Sequence, residues 1–247
     1  MIVTLGERLS DSPYIEAVSY GRTEGSGSTI RPADSRWHMV LVGEKGETRL
    51  SVVGPLTTSG IATWEEGGEI LWIRFRLGVF MPHLPARSFV DVEKSLPGAA
   101  SHSFWLKGSA WQFPSYENVE TFVERLAREE ILVRDPLVSA VLQEQPHNLA
   151  PRTVRHRFLN ATGLTQKHII QIERAQRAAS LLKKGVSILD TVDELGYYDQ
   201  PHLTKSLKQW VGYTPAQLLR SNINCHFLQD IDPCPEYNTT VLAGSSL

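Results

Sequence analysis

LAPRTVRHRFLNATGLT (149–165) and YDQPHLTKSLKQWVGYT (198–214) lie 49 residues apart and match at their apolar and glycine positions. Val154, Phe158, Gly163 and Thr165 of the first align with Leu203, Leu207, Gly212 and Thr214 of the second. An apolar i, i+4 pair marks the inner face of a short amphipathic helix, and a glycine just past it supplies a left-handed stop. Two such helices in one small unit predict two DNA-reading helices on one rigid body.

The flanking residues extend this pattern. DPLVSAVLQE (135–144) opens with Asp135 as N-cap and Pro136 at the first helical position, and Pro146 ends it. TQKHIIQIERAQRAASLLKKG (165–185) predicts a long helix capped by Thr165 and closed by Gly185, burying Ile169, Ile172, Ala175, Ala179 and Leu182. SILDTVDELG (187–196) is capped by Ser187 and turns Ile188, Val192 and Leu195 inward; AQLLRS (216–221) is a last short helix. Two helix-turn-helix units result, 135–144 with 150–161 and 187–196 with 199–211. The second helix of such a unit enters the major groove. The helix between them, 166–183, spans roughly 27 Å at 1.5 Å per residue. It could therefore hold two reading helices about one DNA turn, roughly 34 Å, apart. The expected partner is double-stranded DNA with two half-sites at that spacing for each chain.

The distribution of charge agrees. The 247-residue chain has a net charge of −2. Residues 148–220 carry 11 Lys/Arg against 5 Asp/Glu, whereas residues 1–130 carry 13 against 17 and residues 221–247 carry three acids and no base. A basic module within an acidic chain suits an anionic partner.

Residues 187–215, SILDTVDELGYYDQPHLTKSLKQWVGYTP, resemble the second helix-turn-helix signature of the AraC/XylS family of bacterial transcription regulators. The likeness lies in the helix-ending glycine, the aromatic after it, the Asp at the start of the reading helix and the closing Gly-x-Thr-Pro. Residues 150–164, APRTVRHRFLNATGL, resemble that family's first reading helix, with Ala150 where a capping hydroxyl is usual and Asn148 as the other cap candidate. The resemblance covers about 135–220. It implies a sequence-specific DNA-binding transcription regulator that is not an enzyme.

The exposed faces then supply the candidate contacts. Arg152, Thr153, Arg155 and His156 lie off the buried stripe of the first reading helix, where an Arg can grip guanine through O6 and N7. Gln200, Pro201, Thr204 and Lys205 are the matching positions of the second. Gln200 suits adenine and Pro201 a thymine methyl. Arg157 and Lys208 are expected on phosphates.

Residues 1 to about 114 read as β-rich, so the fold class is α+β in two domains: an N-terminal barrel or cupin-like domain and a C-terminal all-α domain. RWHMVLVG (36–43) and TRLSVVG (48–54) predict one hairpin; TSGIATWEE (58–66) and EILWIRFRL (69–77) predict a second across Gly67-Gly68. SHSFWLKGSAWQF (101–113) offers one or two further strands, and PARSFVDVEKSL (85–96) a short helix. YENVETFVERLAREE (116–130) is an amphipathic helix that packs on this domain or forms a dimer seam. The expected domains are 1–130, 131–221 and a disordered tail, 222–247.

Small barrels line ligand cavities with aromatic groups, so Trp37, Trp72, Phe75 and Trp105 are candidates for an effector pocket; a filled aromatic core is the alternative. On EILWIRFRL, Arg74 and Arg76 share a face with Ile70 and Trp72. If that face is inward, an anionic ligand is implied; if it is outward, the arginines are solvent charges. No metal or cofactor is expected, because no H-x-H with a downstream Glu and His occurs, nor a nucleophile elbow, P-loop or dinucleotide fingerprint. Cys225 and Cys234 read as free thiols, and their place in the expected disordered tail counts against a repair enzyme, which needs a reactive thiol in a shaped site. Further expected partners are a small-molecule effector, a second copy of the chain, and RNA polymerase if the regulator activates. No apolar run approaches the ~18 residues of a membrane span, and MIVTLGERLSDSP lacks signal-peptide order, so a bacterial cytoplasmic location, with the nucleoid when bound to DNA, is expected.

Overall fold

Alternating apolar and polar residues organise the first half of the chain into strands. The structure, a computed structural model, describes residues 2–100 and 102–220, with side chains from residue 5 onward. The strands are β1 (Ile2–Leu9), β2 (Ile15–Thr23), β3 (Gly27–Arg31), β4 (His38–Glu44), β5 (Glu47–Val53), β6 (Gly60–Trp64), β7 (Glu69–Phe75), β8 (Val79–Phe80), β9 (Glu93–Ser95), β10 (Ser103–Leu106), β11 (Ser109–Gln112) and β12 (Val133–Arg134). Six form one sheet in the order β1-β2-β7-β4-β5-β9, and β3-β6, β8-β12 and β10-β11 are two-stranded. On β7, Leu71, Ile73 and Phe75 point into the main β core with Trp37, Met39, Leu50 and Trp111. Ile70 and Trp72 face a smaller cluster with Val40, Val53 and Leu56.

The first expected hairpin is β4-β5 around Lys45-Gly46, with Leu41 opposite Leu50. The second is not a hairpin. β6 pairs with β3, while β7 lies between β2 and β4 with both edges bonded. The Gly67-Gly68 turn is clamped instead by Thr23: Gly67 N–H donates to its carbonyl (2.9 Å), and its own N–H donates to the Gly68 carbonyl (2.8 Å). That clamp splays β6 away from β7. The helix expected in 85–96 shrinks to one 3₁₀ turn, Ala86–Ser88, followed by β9.

Helix α1 (Val119–Arg128) buries Val119, Phe122, Val123 and Leu126. These side chains pack on the β core, with Phe122 edge-on to Trp111 at 6.2 Å between ring centres. The apolar face offered as a dimer seam is therefore already covered within the chain. Each such side chain contributes about 1.5–3 kcal/mol when fully buried. Ile131 and Leu132 also sit in the β core before β12 pairs back onto β8.

The helical region follows as α2 (Pro136–Leu142), α3 (Pro151–Thr162), α4 (Gln166–Lys183), α5 (Ile188–Glu194), α6 (Gln200–Trp210) and α7 (Pro215–Arg220). Asp135, Thr165, Ser187 and Asp199 cap α2, α4, α5 and α6 through their side chains. Ala150 stands at the α3 N-cap with no side-chain bond, so Asn148 does not take that role. The five α4 residues expected in its stripe are all buried, in one core with Phe158, Leu203, Leu207 and Trp210. The expected tail, with Cys225 and Cys234, lies outside the described residues. No helix among the described residues is long and apolar enough to cross a membrane.

Candidate nucleic-acid interface

Each reading helix begins with a proline that fits the first turn, Pro151 in α3 and Pro201 in α6. Each ends at a glycine with positive φ, Gly163 (72°) and Gly212 (87°). Between these ends the buried pairs Val154/Phe158 and Leu203/Leu207 turn the other faces outward. Arg152, Thr153, Arg155 and His156 are exposed along α3; Gln200, Pro201 and Lys205 are exposed and Thr204 half-buried on α6. Asp199 accepts from the His202 N–H at 2.7 Å, which fixes the start of α6. His156 also touches the Asn160 amide at 3.3 Å.

Two of the sequence candidates are tied up elsewhere. Arg157 makes a two-pronged ion pair with Asp135, Nη2 at 2.6 Å and Nε at 3.0 Å, joining α3 to the cap of α2. Lys208 Nζ donates to the Gly212 carbonyl at 3.2 Å, capping the end of its own helix. Both have partners within the fold; the sequence expects both on phosphates.

The C-terminal ends of both reading helices rest on the β domain. A Cβ at Gly163 would come within 2.7 Å of the Ala86 carbonyl oxygen, and one at Gly212 would run into Ile30. Ser59 N–H donates to the Gln209 carbonyl at 3.0 Å and Ala33 N–H to the Trp210 carbonyl at 2.7 Å, so β-domain backbone satisfies the open carbonyls at the end of α6.

Behind α4 runs a polar seam between the domains. Arg36 lies 2.5 Å from Glu16, 3.6 Å from Asp34 and 3.4 Å from Glu173 of α4. Gln176 of α4 donates to the Ala33 carbonyl at 2.6 Å. His38 takes the Trp72 Nε1–H on Nδ1 at 2.8 Å and meets Asp34 through Nε2 at 3.3 Å. Burial pushes the Asp34 carboxyl up, but His38, Arg36 and Arg74 together hold it well below the usual carboxylate range. Arg74 reaches Glu16 (3.4 Å), and Arg76 donates to the carbonyls of Ser12 (2.9 Å) and Ser10 (2.8 Å). These two arginines thus belong neither to a ligand cavity nor to solvent, and serve structural contacts.

The four aromatic pocket candidates do not converge. Trp37 and Phe75 are packed in the β core, Trp37 stacked on Phe89 at 5.4 Å. Trp72 faces the smaller cluster, and Trp105 is 47% exposed on the β10-β11 hairpin. Alternation along β7 puts Trp72 and Phe75 on opposite faces of the sheet. A cleft of about 700 Å³ lies instead beside α3, and its lining includes Arg155, His147 and Lys167. Sequence reading passed over Lys167 because α4 reads as scaffold; its place in the first turn of α4, next to the end of α3, was the available signal.

Two helix pairs, each with an exposed second helix and joined by one long helix, define a double helix-turn-helix domain. Residues 147–221 match a protein-family model described as Helix-turn-helix domain. The chain is 36% identical over 69 residues to "Uncharacterized HTH-type transcriptional regulator YidL" of Escherichia coli (strain K12), a stretch that is 28% of this chain and 23% of that protein. This chain thus spans under a quarter of the length of that relative. A solved structure of ToxT from Vibrio cholerae aligns over 82% of this chain and 97% of that one, with a TM-score of 0.39 and 12% identity. The helical domain is of the helix-turn-helix type that residues 187–215 led us to expect, and α2 lies ahead of the matched residues.

Proposed function

We propose that this chain is a sequence-specific DNA-binding transcription regulator that reads two half-sites about one helical turn apart. The observation that carries this reading is polarity. Both reading helices present their N-terminal halves outward, with Arg152, Arg155, Gln200 and Lys205 exposed, while their C-terminal ends are held by the β domain. Base edges are met by the N-terminal residues of a recognition helix. Arg152, Arg155 and His156 read one major groove, and Gln200, Pro201, Thr204 and Lys205 the next. Arg157 and Lys208 position helices rather than phosphates.

Control reaches DNA through the β domain in this reading, because that domain grips the same end of both reading helices. The filled core around Trp37 and Phe75 favours a β domain that acts by docking over one that encloses a ligand among its aromatics. A homodimer and, for an activator, RNA polymerase complete the proposed partners.

Selection of fragmented genomic DNA on the purified full-length protein tests the function. Enrichment of one motif with two blocks about a turn apart is the expected outcome. A single block would leave one unit without a reading role, and no enrichment by the protein, alone or in cell extract, would refute the reading.

A further inference from the structure

The two helix-turn-helix units differ where their turns meet their reading helices. Five residues (195–199) join α5 to α6, and Tyr197 plugs the space between them. Tyr197 is buried, its hydroxyl is 3.0 Å from Ser206 Oγ, and the Arg174 guanidinium lies 4.3 Å above its ring. Eight residues (143–150) join α2 to α3. At the 49-residue offset the counterpart of Tyr197 is Asn148, and that of Ser206 is Arg157, which turns away to Asp135. The first unit has no such aromatic in its longer connection, and a cleft of about 700 Å³ lies beside it, lined from α2, residues 144–147, α3 and the start of α4. That volume lies within the roughly 300–1,000 Å³ of small-molecule sites. Gln166 ties the start of α4 to the Val141 carbonyl at 3.3 Å along its margin.

The lining is two-sided. Val141, Val154, Phe158 and Leu159 contribute apolar walls, while Arg155 and Lys167 bring two cations against one acid, Glu144. Among the described residues neither Arg155 nor Lys167 pairs with a carboxylate. A neutral apolar molecule would cover two unpaired cations with nothing to bond them, which costs free energy. A bare inorganic anion would leave the apolar walls wet. A ligand with an apolar body and one negative group satisfies both.

We propose that this cleft binds a small amphipathic anion, a carboxylate or sulfonate on an apolar body, and that its occupation draws Arg155 away from DNA. The site is an effector site in the DNA-binding domain itself, outside the β domain. This rests on the reading of α3 as a DNA-reading helix, since Arg155 is the residue shared by the cleft and the base contacts. Ligand and DNA then compete for one side chain, and the ligand lowers operator occupancy.

The test uses the full chain and 8-anilinonaphthalene-1-sulfonate, whose fluorescence rises on apolar surfaces, with N-phenyl-1-naphthylamine as the uncharged counterpart. Saturable binding of the sulfonate is expected, weakened at least tenfold by Lys167→Glu, with the amine bound at least tenfold more weakly. Saturating sulfonate should also weaken binding of the genomically selected duplex at least tenfold. Equal binding of both dyes, or binding indifferent to Lys167→Glu, overturns the proposal, as does unchanged duplex affinity under saturating sulfonate. Dye binding seen only after removal of residues 221–247 would assign the cleft to the chain's own acidic C-terminal segment. Self-association abolished by Lys167→Glu would assign it to a second copy. A failure of DNA selection without dye refutes the regulator reading alone, because the dye titration does not depend on DNA.

Discussion

At the scale of single residues, the exposed cations of α3 and α6 differ in whether the fold gives them a partner. Arg155 is exposed on α3 and forms no ion pair among the described residues, so Arg155→Ala should leave the fold intact. Operator affinity should fall by about 1–3 kcal/mol, with specificity relaxed at one base pair; competition binding against point-substituted duplexes reads both. Arg157 and Lys205 make a sharper comparison, because both are exposed cations on reading helices but only Arg157 is paired, to Asp135. Lys205→Gln should weaken operator binding and make the slope of log affinity against log salt shallower, because it removes a cation from the proposed DNA-facing surface. Arg157→Gln should leave the slope unchanged and lower stability by no more than about 1 kcal/mol, as befits an ion pair with one side in water. Salt titrations of the two variants against wild type decide this. That Arg157 faces Asp135 was not legible in the sequence, since the pair is 22 residues apart and depends on how α2 crosses α3.

At the scale of elements, local chemistry was legible and strand partners were not. Caps at Asp135, Thr165, Ser187 and Asp199 and stops at Gly163, Gly185 and Gly212 depend on a few adjacent residues, and the helices begin and end there. The β6-β7 hairpin failed because Thr23, more than 40 residues away, clamps the connecting turn. The glycines separate a local requirement from a tertiary one. Gly185 has φ of 88° and open space around it, so Gly185→Ala should cost only the left-handed penalty, about 1–2 kcal/mol. Gly163 has similar backbone, but its new methyl would press on the Ala86 carbonyl. Gly163→Ala should therefore cost about 1–3 kcal/mol more, from overpacking against the β domain. Denaturant unfolding of both variants measures the difference, and equal losses would mean that the docking at Gly163 contributes nothing.

At the scale of the whole molecule, the polar seam behind α4 holds the two domains in register. Its members come from β2, the 33–38 segment, β7 and α4, and Arg36 is 8% exposed. Removing one partner of such a buried set leaves charge uncompensated, so Arg36→Ala should destabilise the protein by about 3–5 kcal/mol. Acid should act on the same seam. The Asp34 carboxyl is depressed in the folded state, so its stabilisation is present above the unfolded value, about pH 4, and is lost as pH falls below it. Asp34→Asn should lower the melting temperature at pH 7, and the gap from wild type should narrow steadily between pH 4 and pH 2. A gap independent of pH would exclude Asp34 as the titrating group.

The helical half of this protein was legible in the sequence: its helix ends, buried stripes, internal repeat and exposed positions on α3 and α6. Those features depend on contacts three or four residues apart, which a chain carries in its own order. The tertiary structure adds that Trp37 and Phe75 pack in the β core while Trp105 lies on the surface, that Arg157 pairs with Asp135 and Lys208 with the Gly212 carbonyl, and that β-domain backbone meets the C-terminal ends of α3 and α6. It also places a cleft beside α3, between the end of α2 and the start of α4. Each of these depends on side chains brought together from distant segments, where packing sets the outcome and local pattern does not.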